Sequence, residues 1–264
     1  MTRLLRPDDP LAIAVVEAIR AGEIEELKRL LRDNQDLATA AIRHEHGDAG
    51  ISRTLLHVAT DWPGHFPDVA TTIEALVDAG AKVEARNAPG TETPLHSAAS
   101  SDDIDALDAL VAAGADIDAP GAVIAGGTPL DDAVAFGQWQ AARRLVHHGA
   151  RTALWHAAAL GLIDRVEAHF TGDPAAAPYP WGAGGEETPD EVTVALWCAC
   201  HGGQRHTAEY LLDRGADLNW IATWDGHTPL DTARREGANE LVAWLRTRGA
   251  RTADELTDRT KEGG

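Results

Sequence analysis

Apolar residues arrive along this chain in short bursts of helical spacing, and the same punctuation opens and closes each burst. A Thr-x-Leu-x phrase starts one short apolar helix, and a Gly-Ala pair ends the next. The pattern is plainest at Thr93-Pro94-Leu95-His96 with Gly114-Ala115, at Thr128-Pro129-Leu130-Asp131 with Gly149-Ala150, and at Thr228-Pro229-Leu230-Asp231 with Gly249-Ala250, each with Thr and Gly 21 positions apart. Weaker versions start at Thr54, Thr152 and Val194, so the openings are separated by 39, 35, 24, 42 and 34 residues. Ile13 to Ala38 reads as a first unit without the phrase, with Ala18 and Gly22 on its first helix and Leu27, Leu30 and Leu31 on its second. Recurrence at about 33 residues predicts stacked helical hairpins before any local assignment is made.

Each residue of the phrase has a physical job. Thr caps the helix start, and Pro suits the first turn, where no amide donor is needed. Small pairs such as Ala98-Ala99 and Ala157-Ala158 let helices approach closely, and the closing Gly supplies a left-handed C-cap. Polar stretches such as 116–120 then predict a hairpin loop leading to the next unit.

Three stretches, Thr93 to Ala99, Leu110 to Ile117 and Leu211 to Asn219, resemble the ankyrin repeat family. The resemblance covers about residues 11 to 252 and implies an all-α solenoid of seven helix-turn-helix units, about 11–38, 54–84, 93–119, 128–151, 152–178, 194–220 and 228–252, in a single domain over 1–264. It also implies hairpin fingers, a curved groove, and a protein-binding role without any particular chemistry.

Composition narrows the partner. Formal net charge is -19, from 42 acidic against 23 basic residues, which counts against nucleic acid and favours a cationic or neutral partner. No stretch has membrane-spanning length and the start does not resemble a signal peptide, so a cytoplasmic protein is expected. Cys198 and Cys200, two apart on one helix, point apart and do not bridge. Lysine is rare and Arg, Ala, Gly and Asp are common, a bias that fits a GC-rich bacterial genome.

Three departures from the repeat carry most of the functional information. The first is the connections. Residues 40–53 and 172–193 read as long loops, the second a candidate lid with Tyr179, Pro180 and Trp181. His44-Glu45-His46 lacks the further ligands a metal site needs, and neither metal nor cofactor is expected. The 24-residue step from Thr128 to Thr152 leaves no room for a finger and would open the groove beside Trp155 and His156.

The second departure is tryptophan: eight, against three Phe and two Tyr. Trp155 and Trp197 stand where the family has His and are expected to fill core space, and Trp244 to pack the end cap. Trp62 and Trp139, near turns between paired helices, and Trp220 and Trp224, in the last finger, are placed to anchor a partner.

The third is a polar line on the inner helices. Aligning the units puts Val58, Ser97, Asp132, His156, Cys198 and Thr232 at one position, and Asp61, Ser100, Ala135, Ala159, His201 and Arg235 three residues on, along one helix face. No phosphate loop, Gly-x-Ser-x-Gly elbow or His-Glu-x-x-His occurs. Two functions follow. In one, a groove recognises a protein through Trp62, Trp139, Trp220 and Trp224, with Asp61, Asp102, Asp103 and Asp132 selecting basic groups. In the other, a small molecule enters a mid-groove pocket where Asp132, His156 and His201 carry acid–base chemistry such as isomerisation, cyclisation or hydrolysis.

Overall fold

The computed structural model describes residues 3–44, 51–88, 90–172 and 190–262. Helices fill most of it: α1 (Pro10–Ala21), α2 (Ile24–Asp33), α3 (Leu55–Thr60), α4 (Val69–Asp78), α5 (Pro94–Ser100), α6 (Ile104–Ala112), α7 (Pro129–Ala135) and α8 (Trp139–His147) in a first unit spanning Met1–Ala150. The second unit, Arg151–Gly264, holds α9 (Leu154–Leu160), α10 (Ile163–Phe170), α11 (Glu191–His201), α12 (Arg205–Leu212), α13 (Pro229–Arg235), α14 (Asn239–Thr247) and α15 (Ala253–Glu262). Among the described residues, no helix is long and apolar enough to cross a membrane.

Capping explains why the phrase starts helices. Thr54, Thr93, Thr128 and Thr228 are the N-caps of α3, α5, α7 and α13. At α5 the Thr93 amide donates to His96 Nδ1 at 3.1 Å; at α7 the Thr128 amide donates to Asp131 Oδ2 at 2.7 Å. His or Asp at the fourth position thus closes the box from the other side. The two weaker phrases, at Thr152 and Val194, start elsewhere. Thr152 does not cap α9: the helix begins one residue later on Ala153, whose amide donates to His156 Nδ1 at 3.0 Å, while the Thr152 hydroxyl accepts from Arg165 at 3.2 Å. Val194 has no oxygen to offer, and α11 runs back a full turn to Asp190, whose carboxylate accepts from the Thr193 amide at 3.0 Å.

Packing repeats within each unit. In the first, α1, α3, α5 and α7 form one row and α2, α4, α6 and α8 a second, each helix against the next of its row. In the second unit α9, α11 and α13 form the same kind of row, with α10 and α12 behind. Alanine and leucine fill the space between: Leu95, Ala98, Ala99, Leu107 and Leu110 in the first unit, and Leu154, Ala158, Leu196, Ala199, Leu211 and Leu230 in the second, are buried. Small inner residues permit this close row, and burying each leucine contributes about 2 kcal/mol.

A polar bond links successive hairpins. His57 Nε2 donates to the Glu92 carbonyl at 3.1 Å, and His96 Nε2 to the Gly127 carbonyl at 3.4 Å. Each accepting carbonyl lies one residue before the next Thr. Trp197, at the corresponding position of α11, does the same with its indole, donating to the His227 carbonyl at 3.2 Å. It therefore fills core space, as Trp155 does, while keeping the histidine's bond. Burial holds His57 and His96 neutral, each pushed down to about 4.

The fingers are hairpins. Residues 87–92 close through Asn87 N to Glu92 O at 3.1 Å, residues 122–127 through Ala122 N to Gly127 O at 2.9 Å, and residues 222–227 through Ala222 N to His227 O at 3.0 Å. One stretch departs from the all-helical expectation. Residues 40–53, read as a loop, supply β2 (Ala41–His44) and part of β3 (Ile51–Thr54), which pair antiparallel; β1 (Leu4–Leu5) adds parallel to β2. Alternating Ile42 and the branched Ile51 and Thr54 suit this pleat. Ser52 also bridges Ala88 of the first finger. Glu45 and His46, and residues 173–189 with Tyr179 and Trp181, lie outside the described residues.

Candidate functional site

In the first unit Asp102 and Asp103 hold the backbone. Asp103, 1% exposed, caps α6 by accepting from Ala106 N at 3.1 Å, and its second oxygen accepts from His65 N at 2.6 Å. Asp102 adopts a left-handed backbone, and its Oδ1 accepts from Ala141 N at 2.6 Å. Both carboxylates tie a turn to the neighbouring hairpin. Asp61 forms an ion pair with Arg53 of β3.

Trp62 is the opposite case. It is 80% exposed, on the loop between α3 and α4. The loop beneath it is held: Gly64 N donates to Asp61 O at 2.7 Å, His65 Nε2 donates to Ser101 O at 3.1 Å, and a Cβ at Gly64, where φ is 73°, would meet Ser101 and Asp103 side-chain atoms at 3.1 to 3.2 Å. Trp139, half-buried, is the first residue of α8. Asp132, fully buried on α7, accepts from Ile124 N at 3.3 Å through Oδ1, whereas Oδ2 finds no hydrogen-bond partner within ordinary distance among the described residues. Burial, with Glu92 and Asp131 adding negative potential, pushes its carboxyl up to about 7.

In the second unit three tryptophans cluster. Trp197, buried on α11, meets Trp224 edge to face, ring centroids 5.2 Å apart at 83°. Trp224 meets Trp220 at 5.2 Å and 65°. Trp220 is half-buried and Trp224 is 44% exposed. Charges ring the cluster. The Arg235 guanidinium lies 5.8 Å from the Trp197 ring centre and donates to Asp225 at 3.0 Å and Glu236 at 3.1 Å. His227 sits on Asp225 at 3.0 Å.

His201 Nδ1 donates to Glu236 at 3.1 Å, with its ring 5.5 Å from Trp197. His156 lies against Trp155 at 3.9 Å and accepts from its own helix start. Asp132 belongs to the first unit; His156 and His201 belong to the second, where each makes its own contacts. Cys198 and Cys200 are buried free thiols, and burial pushes both well above the usual thiol range. The inner-face alignment had already placed His201 and Arg235 at equivalent positions of neighbouring helices. Asp225, His227 and Glu236 carried no motif; adjacency to Trp224, Thr228 and Arg235 was the one available signal.

Stacked helical hairpins joined by beta-turned fingers, with Thr-Pro-Leu starts, define a class of repeat protein. The chain belongs to the ankyrin repeat family: the family profile described as "Ankyrin repeats (3 copies)" matches residues 68–154 and 183–255. The crystal structure of the human ASB11 ankyrin repeat domain is similar, with a TM-score of 0.50 at 18% identity over 88% of this chain and 96% of that one, a likeness of fold. Comparison with curated proteins yields no match. Ankyrin repeats generally mediate protein–protein binding.

Proposed function

We propose that this chain is a binding module whose inner helices and fingers recognise a protein partner through exposed tryptophans. The observation that carries the reading is Trp224: a large ring 44% exposed, yet braced edge to face by Trp197 and Trp220. A braced aromatic loses little freedom on binding, and Trp is the residue most enriched among binding hot spots. Trp62, exposed on its held loop, offers a second anchor in the first unit, and Trp139 a smaller one. Asp61, Asp102, Asp103 and Asp132 support the turns and helix around these rings. Preference for a cationic partner then rests on the overall charge of -19.

The test starts from peptides selected on the intact chain from a displayed random library. Trp224→Ala should weaken the best binders by about thirtyfold or more, the loss usual for a hot spot. Its thermal melt should stay near that of the parent, since the ring is half in solvent. Trp62→Ala, measured separately, reports whether the first unit takes part. Unchanged affinity in both variants would remove the proposal.

A further inference from the structure

A second site of different chemistry lies in the first unit, between the small sheet and the first finger. A cavity of about 630 Å³ opens there. Its apolar wall is Leu4 of β1, Ala41 of β2, and Ala85 and Ala88 of the finger. Its polar lining is Thr39, Ser52 and Thr54, together with the exposed Lys82 and Arg86. The volume is that of a small-molecule site, and apolar walls with a few convergent polar groups are what such sites share.

The two cations are the informative part. Some basic side chains of this acidic chain hold carboxylates: Arg29 holds Glu26 and Asp33, Arg53 holds Asp61, Arg144 holds Asp108, and Arg246 holds Glu255. Lys82, one of only three lysines, and Arg86 make no ion pair with any carboxylate among the described residues. Arg86 is held in place all the same. Its NH1 donates to the carbonyls of Thr91 and Pro120, which fixes the guanidinium plane and leaves the Nε and NH2 hydrogens for another acceptor. That remaining edge is the fork that matches a carboxylate. Ser52 spends its backbone amide and carbonyl on Ala88, at 2.6 and 3.0 Å, and both residues line the cavity.

We propose that this cavity binds a small amphipathic carboxylate, its head on Lys82 and Arg86 and its apolar part against Leu4, Ala41, Ala85 and Ala88. The site is independent of the tryptophan surface.

The experiment is an amide-resonance titration of the intact chain with hexanoate, hexanamide and inorganic phosphate. Hexanoate should shift the amides of residues 38–41, 52–54 and 82–88 in a saturable way, and hexanamide should not. Lys82→Met should weaken hexanoate about tenfold, the loss of one charge-assisted contact, with an unchanged melt, since Lys82 is exposed and holds no structural bond. Arg86→Lys keeps the charge and removes the fork, and should also weaken it. No saturable shift with hexanoate, equal shifts with hexanamide, equal shifts with phosphate (a mere anion sink), or full affinity in Lys82→Met would each overturn the proposal.

Discussion

Gly202→Ala is expected to destabilise the second unit by about 3 kcal/mol or more, the upper end of what forced overpacking costs. Gly202 ends α11 with an ordinary right-handed backbone, φ -81° and ψ 0°. On backbone grounds alone an added methyl would stabilise by about 0.5 kcal/mol, because it restricts the unfolded chain. The surroundings reverse the sign. A Cβ there would lie 1.8 Å from the Ala159 carbonyl oxygen and 2.7 Å from its carbon, both backbone atoms of α9. No rotamer change relieves such a contact, so α9 and α11 must part, and the Leu154, Leu196 and Ala199 contacts between them loosen. Urea denaturation of parent and variant measures the loss. Ala159→Gly added to the variant should not restore stability, since the atom struck is a carbonyl oxygen; full rescue would show that the clash is elsewhere.

Asp132→Asn is expected to stabilise the protein at pH 8 by roughly 2 kcal/mol, a gain that disappears toward pH 4. The folded carboxyl titrates at about 7 against 3.8 for an ordinary aspartate. Between those values the folded chain holds a proton that the unfolded chain has released. Stability therefore falls as pH rises through that window and stays low above it. Full conversion of the shift would give on the order of 4 kcal/mol. The amide recovers only part of that, because it places a new donor where Oδ2 finds no partner among the described residues. His57 and His96 act in the opposite sense: each holds its proton at about 4 rather than 6.5, so their contribution is lost as pH falls between those values. Comparing parent and variant at each pH cancels the histidines. A difference that does not change between pH 4.5 and 8 would mean that Asp132 is ionised throughout.

The helix pairs could be read from the chain because their signals are local. Thr93, Thr128 and Thr228 cap the helices they open, with partners three residues on, inside any reading window. Where the local signal was imperfect the start moved, to Ala153 and to Asp190. The inner-face alignment put His201 and Arg235 at matching places, and both border the tryptophan cluster. The rest depended on bonds between residues far apart in the sequence. Asp102 and Asp103 looked like free acids, but their acceptors' partners, Ala141 and His65, are 39 and 38 residues away. The strand pairing of residues 41–44 with 51–54 was masked by polar composition, and the cavity bordered by Lys82 and Arg86 is assembled from four separate stretches.

The links from His57 to Glu92, His96 to Gly127 and Trp197 to His227 span 35, 31 and 30 residues, always forward in the chain. On a ribosome the amino end emerges first. A hairpin made there must wait for the following finger before its inner helix has a carbonyl to hold. Maturation then trails synthesis by one whole repeat, and a nascent chain halted before residue 92 leaves α3 without α5 and the His57 imidazole without its acceptor. Translation pauses that fall just after a finger would let each repeat settle; pauses just before one would expose it to chaperones.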